Sequence, residues 1–332
     1  MRSIDVAPPS AAELAADLLE SDRAYFESAA VLDPAGGATV ARVPGLERVS
    51  AGCVVQRVDP SVLPRDPDWW VELVEQRLLG HGARRARFYL AGRHPALEAA
   101  LLARGYRPQD ETGYALAVTH RPLDRAEGLS AELRPVTTSD DWAAKLALHR
   151  VAGSAPDGYD ADPEAWVELE RVRAAAGAIR PFFIVSRGAI CGVVALAAGG
   201  ALLRLKNMLV HPSWRGMGVA TAVLHCARLI AWREGWSALG AFVVSGDPGE
   251  QLYTRAGYQA VARQTEWVGP SASASSASRP RNHTASRCSM ASMQLAAPSR
   301  NDRKSSFTPT RSARSSCSLP AVRFPRSSSE PP

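Results

Sequence analysis

The chain has 332 residues, 46% hydrophobic and 22% charged, which is the composition of an ordinary globular protein and not of a fibrous or wholly disordered one. Its net charge of +6 sits in its C-terminal stretch. Residues 269–332 hold nine Arg and one Lys against Asp302 and Glu330, whereas residues 1–268 hold 29 basic and 31 acidic groups, a balance that argues against nucleic acid as partner of the folded part.

Five scattered cysteines (Cys53, Cys191, Cys226, Cys288, Cys317) without a CxxC pair argue against a metal site or disulfide framework and fit a cytoplasmic location. The longest uncharged apolar run, Ala189 to Leu203, is short and broken by glycine, and the N-terminus lacks an apolar h-region. A soluble protein, monomeric or homodimeric, is expected.

In chain order, Ser10 caps helical spacing at Leu14, Leu18 and Leu19 within residues 10–31. Strands are expected at Ala38–Val43 and Arg48–Val58, a helix at Trp69–Leu79, a strand at Arg87–Ala91, a helix at Pro95–Arg104 ending on Gly105, and a strand at Tyr114–Val118. Residues 121–131 read as a linker between a first domain, 1–120, and a second, 132–268. In the second, helices near Asp140–Val151 and Pro163–Ala176 precede strands at Phe182–Ser186, Ile190–Ala197 and Ala201–Val210. A long helix from Val219 to Glu234 ends at Gly235. A strand at Ala238–Val244, a helix at Gly249–Ala256 stopped by Gly257, and a strand near Thr265–Val268 complete it. Residues 269–332, with 18 Ser and no sustained periodicity, are expected to be a disordered tail.

The chemistry concentrates in Leu205–Thr221. A strand ends at Val210-His211-Pro212, and Arg215-Gly216-Met217-Gly218-Val219-Ala220 leads into the long helix. A helix's first turn leaves N–H groups unpaired and aligned with its dipole, which favours an anion. Gly216 and Gly218, lacking Cβ, let a diphosphate approach the main chain.

The two halves repeat. Val58-Asp59-Pro60-Ser61 aligns with Val210-His211-Pro212-Ser213, and the same offset sets Gly105-Tyr106 on Gly257-Tyr258 and Leu101 opposite Tyr253. One residue later in register, Thr112 meets Thr265 and Tyr114 meets Trp267. Where the second copy has Arg215–Ala220, the first has Leu63-Pro64-Arg65-Asp66-Pro67-Asp68, whose prolines lack N–H donors and whose aspartates repel a diphosphate. The first copy is expected to be degenerate, truncated at its start and without the opening strands of the second.

These residues resemble the GCN5-related N-acetyltransferase (GNAT) superfamily. Its signature is a strand, then [RQ]-x-x-G-x-[GA] opening a helix, then a Tyr in a helix closed by Gly and an aromatic. Here these are Leu205–Val210, Arg215–Ala220, and Leu252-Tyr253-Thr254-Arg255-Ala256-Gly257-Tyr258. The likeness covers about Leu133–Val268, and more weakly Ala38–Val118. It implies an α/β (α+β) fold, a mixed, largely antiparallel twisted sheet with helices on both faces, in two tandem copies.

The resemblance further implies acetyl-CoA as co-substrate and a small-molecule amine as acceptor; cysteine spacing and hydropathy, as above, argue against a metal and a membrane partner. The backbone of Arg215, Gly216, Met217, Gly218, Val219 and Ala220 would hold the diphosphate, and Met208, Leu209 and Val210 the pantetheine amides. The strand Ala238–Val244 would run parallel and splay away. Tyr253 corresponds to the general acid. The chain departs from the family in two places. Ala201–Val210 contains no acid to act as base, and Ser245-Gly246-Asp247 stands where an Asn is often found. Ordered water, Glu170 or Glu266 remain as alternatives for the base. A non-catalytic acetyl-CoA-binding module is the second reading. Strand alternation groups Arg204, Lys206 and Met208 on one face, Leu203, Leu205 and Asn207 on the other. Arg204 and Lys206 read as a solvated face or as attracting a carboxylate-bearing amine.

Overall fold

In the computed structural model, residues 9–59, 61–63, 65–119, 131–152 and 162–270 are described. Residues 271–332 of the expected tail and, apart from Ala131, the expected linker lie outside them.

The first half runs α1 (Ala11–Glu27), β1 (Val31–Pro34), β2 (Thr39–Arg42), β3 (Cys53–Gln56), α2 (Pro67–Gly80), β4 (Arg87–Ala91), α3 (Pro95–Ala103) and β5 (Arg107–Ala117). The second runs β6 (Glu132–Pro135), α4 (Ser139–Ala152), α5 (Pro163–Ala175), β7 (Ile179–Ser186), β8 (Ala189–Gly199), β9 (Leu202–Val210), a 3-10 turn (Pro212–Trp214), α6 (Val219–Glu234), β10 (Ala238–Val244), α7 (Gly249–Arg255) and β11 (Gln259–Val268). The offset of the repeat pairs α1 with α5, β1–β3 with β7–β9, α2 with α6, β4 with β10, α3 with α7 and β5 with β11. This corrects the expectation of missing opening strands: β1 and β2 are present. Among the described residues β6, α4 and the 3-10 turn have no counterpart.

The eleven strands of the described residues form one sheet in the order β1-β2-β3-β4-β11-β5-β10-β9-β8-β7-β6. Most neighbours are antiparallel; β3 with β4 and β9 with β10 are parallel. The halves exchange their last strands. β5 lies against β10 (Glu111↔Val244 to Ala117↔Ala238), and β11 lies against β4 (Val268↔Arg87 to Gln264↔Ala91). β5 and β11 pair with each other at the centre, and the register there sets Glu111 opposite Gln264. Those two residues are also mates in the repeat, so the pseudo-twofold axis passes between them.

Ser10 begins α1 with a capping box: its hydroxyl accepts from the Glu13 N–H, and the Glu13 carboxylate accepts from the Ser10 N–H at 2.7 Å. α1 then crosses the junction, burying Leu18 against Ala115 of β5 and Leu202 and Ala238 of the second half. The approach is close. A Cβ on Gly113 would stand 2.7 Å from Leu18, and one on Gly240 2.9 Å from it. In return α5 packs Ala165, Trp166 and Leu169 among Tyr25, Phe26, Val43 and Val54 of the first half. Trp70 fills the core under β3 and β4, whereas Trp69 is 55% exposed. Among the described residues no helix is long and apolar enough to cross a membrane.

Candidate active site between β9 and β10

β9 and β10 stay in parallel register only from Leu202–Arg204 against Ala238–Gly240, then diverge. One residue of β9 is also out of step with β8. The pairs Ala195↔Lys206 and Val193↔Leu209 leave an extra residue in β9, and Asn207 takes φ 53°. This bulge corrects the strict alternation expected of the strand. Asn207 shares a side with Lys206: its Nδ2 donates to Glu170 Oε1 at 2.8 Å and lies 3.5 Å from the Tyr25 hydroxyl, while Lys206 Nζ stands 4.1 Å from the centre of the Tyr25 ring.

A cavity of about 670 Å³ occupies the opening. It reaches both faces of the sheet. Neighbouring residues of β5 show that α1 and α7 cover opposite faces, because Gly113 abuts Leu18 while Tyr114 stacks on Tyr253 at 6.0 Å. The cavity is lined by Asp22 and Phe26 of α1 on one side and by Tyr253 and Gly249 of α7 on the other.

Of the residues singled out in the sequence, Met208, Leu209 and Tyr253 line this cavity together. Val210 and Arg215–Ala220 continue from the strand end beyond its walls. Gly216 and Gly218 have φ of 76° and 78°, the left-handed region that only glycine adopts without strain, and Gly218 is the N-cap of α6. Around a Cβ built on Gly216 there is open space, so the backbone of the turn is accessible. Val219 is buried, whereas Arg215 and Met217 are exposed and Ala220 is half-buried. Arg215 ties the turn to the strand, with Nε donating to the Val210 carbonyl at 3.1 Å.

The first half lacks this arrangement. The N-terminus of α2 is capped by its own Asp66 carboxylate, which accepts from the Trp69 N–H at 3.1 Å. Leu101, in the place of Tyr253, is fully buried, and Trp70 stands where α6 has Ala222.

Tyr253 is 6% exposed, stacked on Tyr114 and edge-on to Tyr258 at 5.2 Å; burial pushes its phenol well above the usual range. Arg204 is not part of a solvated stripe, although it lines the cavity. It is 1% exposed and ion-paired with Asp22, which also takes Lys206 Nζ at 3.2 Å and Gln264 Nε2 at 2.8 Å. Burial would raise the Asp22 carboxyl, but Arg204, Lys206 and Gln264 outweigh it and hold it well below the carboxylate range.

Both acids expected as alternatives for the base are engaged. Glu170 is fully buried against Lys145 Nζ at 3.1 Å and Asn207, and Glu266 binds Arg87 and accepts from the Tyr89 hydroxyl at 2.8 Å. The cavity does hold a carboxylate that the sequence had not singled out. Glu111 of β5, from the first half, lines it and accepts from Gln264 Nε2 at 2.7 Å. Burial, then the Asp22 and Glu266 carboxylates, push the Glu111 carboxyl up to about 7. His149 of α4 lines the same space, and burial lowers its imidazole, against the pull of Glu170. The arrangement thus offers a phenol on one face, a carboxylate that changes charge near neutrality on the other, and an open backbone turn at the end of β9.

Residues 178–260 match the acetyltransferase (GNAT) domain family model. No curated protein matches the chain. Among solved structures, it is similar to a GCN5-related N-acetyltransferase from Kribbella flavida (15% identity, 79% of this chain and 98% of that one, TM-score 0.57). It is similar also to a GCN5-related N-acetyltransferase from Sphaerobacter thermophilus (18% identity, 80% and 95%, TM-score 0.54). A conserved protein of unknown function from Staphylococcus epidermidis ATCC 12228 shares the fold at 11% identity (75% and 97%, TM-score 0.57). At these identities the likeness is one of fold.

Proposed function

We propose that this chain, a tandem GNAT fold whose second half carries a GNAT acetyltransferase domain, is an acetyl-CoA-dependent N-acetyltransferase acting on the primary amine of a small molecule. The carrying observation is the opening between β9 and β10, with an accessible Gly216–Gly218 turn beyond one end and Tyr253 in its wall. The N–H groups of the turn and of the first turn of α6 hold the diphosphate, each charge-assisted bond contributing about 1.5–3 kcal/mol. Met208–Val210, freed from β10, offer backbone to the pantetheine amides. The Tyr253 phenol, kept protonated by burial, donates to the departing thiolate. The second half alone acts, because Asp66 and Leu101 replace the anion site and the phenol in the first. Phe26, Trp166 and Phe242 give the acceptor side apolar walls suited to a small organic amine.

The second reading, a non-catalytic acetyl-CoA-binding module, draws on the absence of an acid from β9. Calorimetric titration with acetyl-CoA and thiol release over an amine panel separate the two. The enzyme reading expects Tyr253→Phe to retain acetyl-CoA binding while kcat falls about 10²-fold, the lower range for one general acid. Binding without turnover on any amine supports the module instead, and absence of acetyl-CoA binding removes both.

A further inference from the structure

We propose that Glu111, delivered by the exchanged strand of the inactive half, is the general base for the active half. This rests on the acetyltransferase reading and completes it, because β9 offers no acid of its own.

Position carries the proposal. Glu111 pairs with Val244, at the end of β10 where that strand has already parted from β9. Strand alternation places it on the face of Gly113, the side of α1, opposite to Tyr114 and Tyr253. The cavity that joins the two faces is lined by both Glu111 and Tyr253. Base and acid therefore line one cavity from opposite faces of the sheet, so that each can reach a thioester held between them without competing for the same space.

His149 also lines the cavity and is the competitor that the test below addresses, whereas the other acids around the site are paired. Asp22 neutralises Arg204 and Lys206, Glu266 neutralises Arg87, and Glu170 is closed off by Lys145. The groups facing Glu111 are Asp22 from α1, Gln264 and Glu266 from β11, Lys206 from β9 and the Tyr89 phenol from β4. The two carboxylates oppose its ionisation; Gln264 and Lys206 favour it. Its hydrogen-bonding partner is a neutral amide, so the carboxylate is not consumed by an ion pair. A base that titrates near neutrality suits proton removal from an alkylammonium, whose ordinary pKa is about 10.

The step balances as follows. The Glu111 carboxylate takes one proton from the acceptor's ammonium. The freed nitrogen lone pair forms the C–N bond at the thioester carbonyl, whose π electrons move to oxygen. When the carbonyl re-forms, the C–S bond breaks and its pair leaves on sulfur. Sulfur takes the Tyr253 proton, and the tyrosinate recovers one from the acylated nitrogen. The proton held by Glu111 is released to solvent, leaving amide, thiol and one proton.

The test uses the full chain, acetyl-CoA, a panel of primary alkylamines, and hydroxylamine, which is neutral at pH 7 and needs no base. Glu111→Gln is expected to leave acetyl-CoA binding intact and to lower kcat with alkylamines about 10²-fold or more, while thiol release with hydroxylamine persists. In the variant, alkylamine turnover should rise with pH without levelling near 7. Gln264→Met, which withdraws the amide donor, should move the acidic limb of kcat/KM upward and guards against Glu111→Gln failing to fold. Unchanged alkylamine rates and pH profile in both variants overturn the proposal but leave the acetyltransferase reading standing. Transfer of the limb to His149→Gln also overturns it. Absence of thiol release by the wild type with every amine and hydroxylamine removes the underlying reading as well.

Discussion

Asp22 shows how a single carboxylate joins the two halves. It comes from α1 of the first, yet neutralises Arg204 and Lys206 on β9 of the second and accepts from Gln264 on β11. Asp22→Asn leaves Arg204 buried without its counter-charge, and removing one partner of such a pair costs about 3–5 kcal/mol. Urea unfolding at pH 7 should show that loss, and Asp22→Leu with Arg204→Met should recover much of it. The pH dependence follows from a lowered pKa: the stabilisation is present above the unfolded value and lost as pH falls towards the folded one. Wild type and Asp22→Asn should therefore converge in acid. None of this was legible from the strand alone, where Arg204 and Lys206 read as a solvated stripe, because their partner lies far away in sequence. The left-handed turn at Gly216–Gly218 and the short helix that carries Tyr253 were legible because both are local features. Glu111 was not, although the repeat aligns it with Gln264, its partner across the axis.

At the scale of elements, α6 was read from Val219 to Glu234 as found, with Gly235 at φ 77° ending it. β5 and β11 were read short. Arg107–Thr112 is polar and looks like loop in isolation, but it is paired on one edge along β11, and Glu111 begins its pairing with β10. β-structure of this kind reflects neighbours more than residues. α2 and α6 make the complementary case: equivalent helices, one with Trp70 and one with Ala222 at the same place. Trp70 is 1% exposed, donates from its indole to the Ala35 carbonyl at 2.8 Å and packs on Phe88. Trp70→Ala should cost about 3–5 kcal/mol in denaturant unfolding, the range for an aromatic removed from a core. Because this core lies under β3 and β4, the acetyltransferase proposed above should keep its KM for acetyl-CoA in this variant. A shift in that KM would mean that the first half shapes the donor site.

For the whole molecule, exchange of β5 and β11 makes the halves interdependent. Two halves were visible in the repeat as separate domains. The exchange was not, because strand order is set by pairing and a repeat reads the same whether its last strand returns home or crosses over. Without the second half, β5 loses both β10 and β11, and β4 loses the neighbour that covers its inner edge. Leu18 loses Leu202 and Ala238, and Asp22 loses the charges that justify its burial. Without the first half, β10 has an unpaired edge and the cavity loses Phe26 and Glu111. Each fragment then exposes apolar surface and open strand edges, which favour unfolding or association with another chain. Chains 1–125 and 126–270, made separately, should each unfold without a cooperative transition. Made together, they should co-purify as a one-to-one complex with a cooperative melt and, with Glu111 restored to the cavity, thiol-releasing activity. A cooperative, monomeric melt from either fragment alone would show that the exchanged strands dispense with each other. The first half would then be an attachment to the second, where the strand order makes it a component.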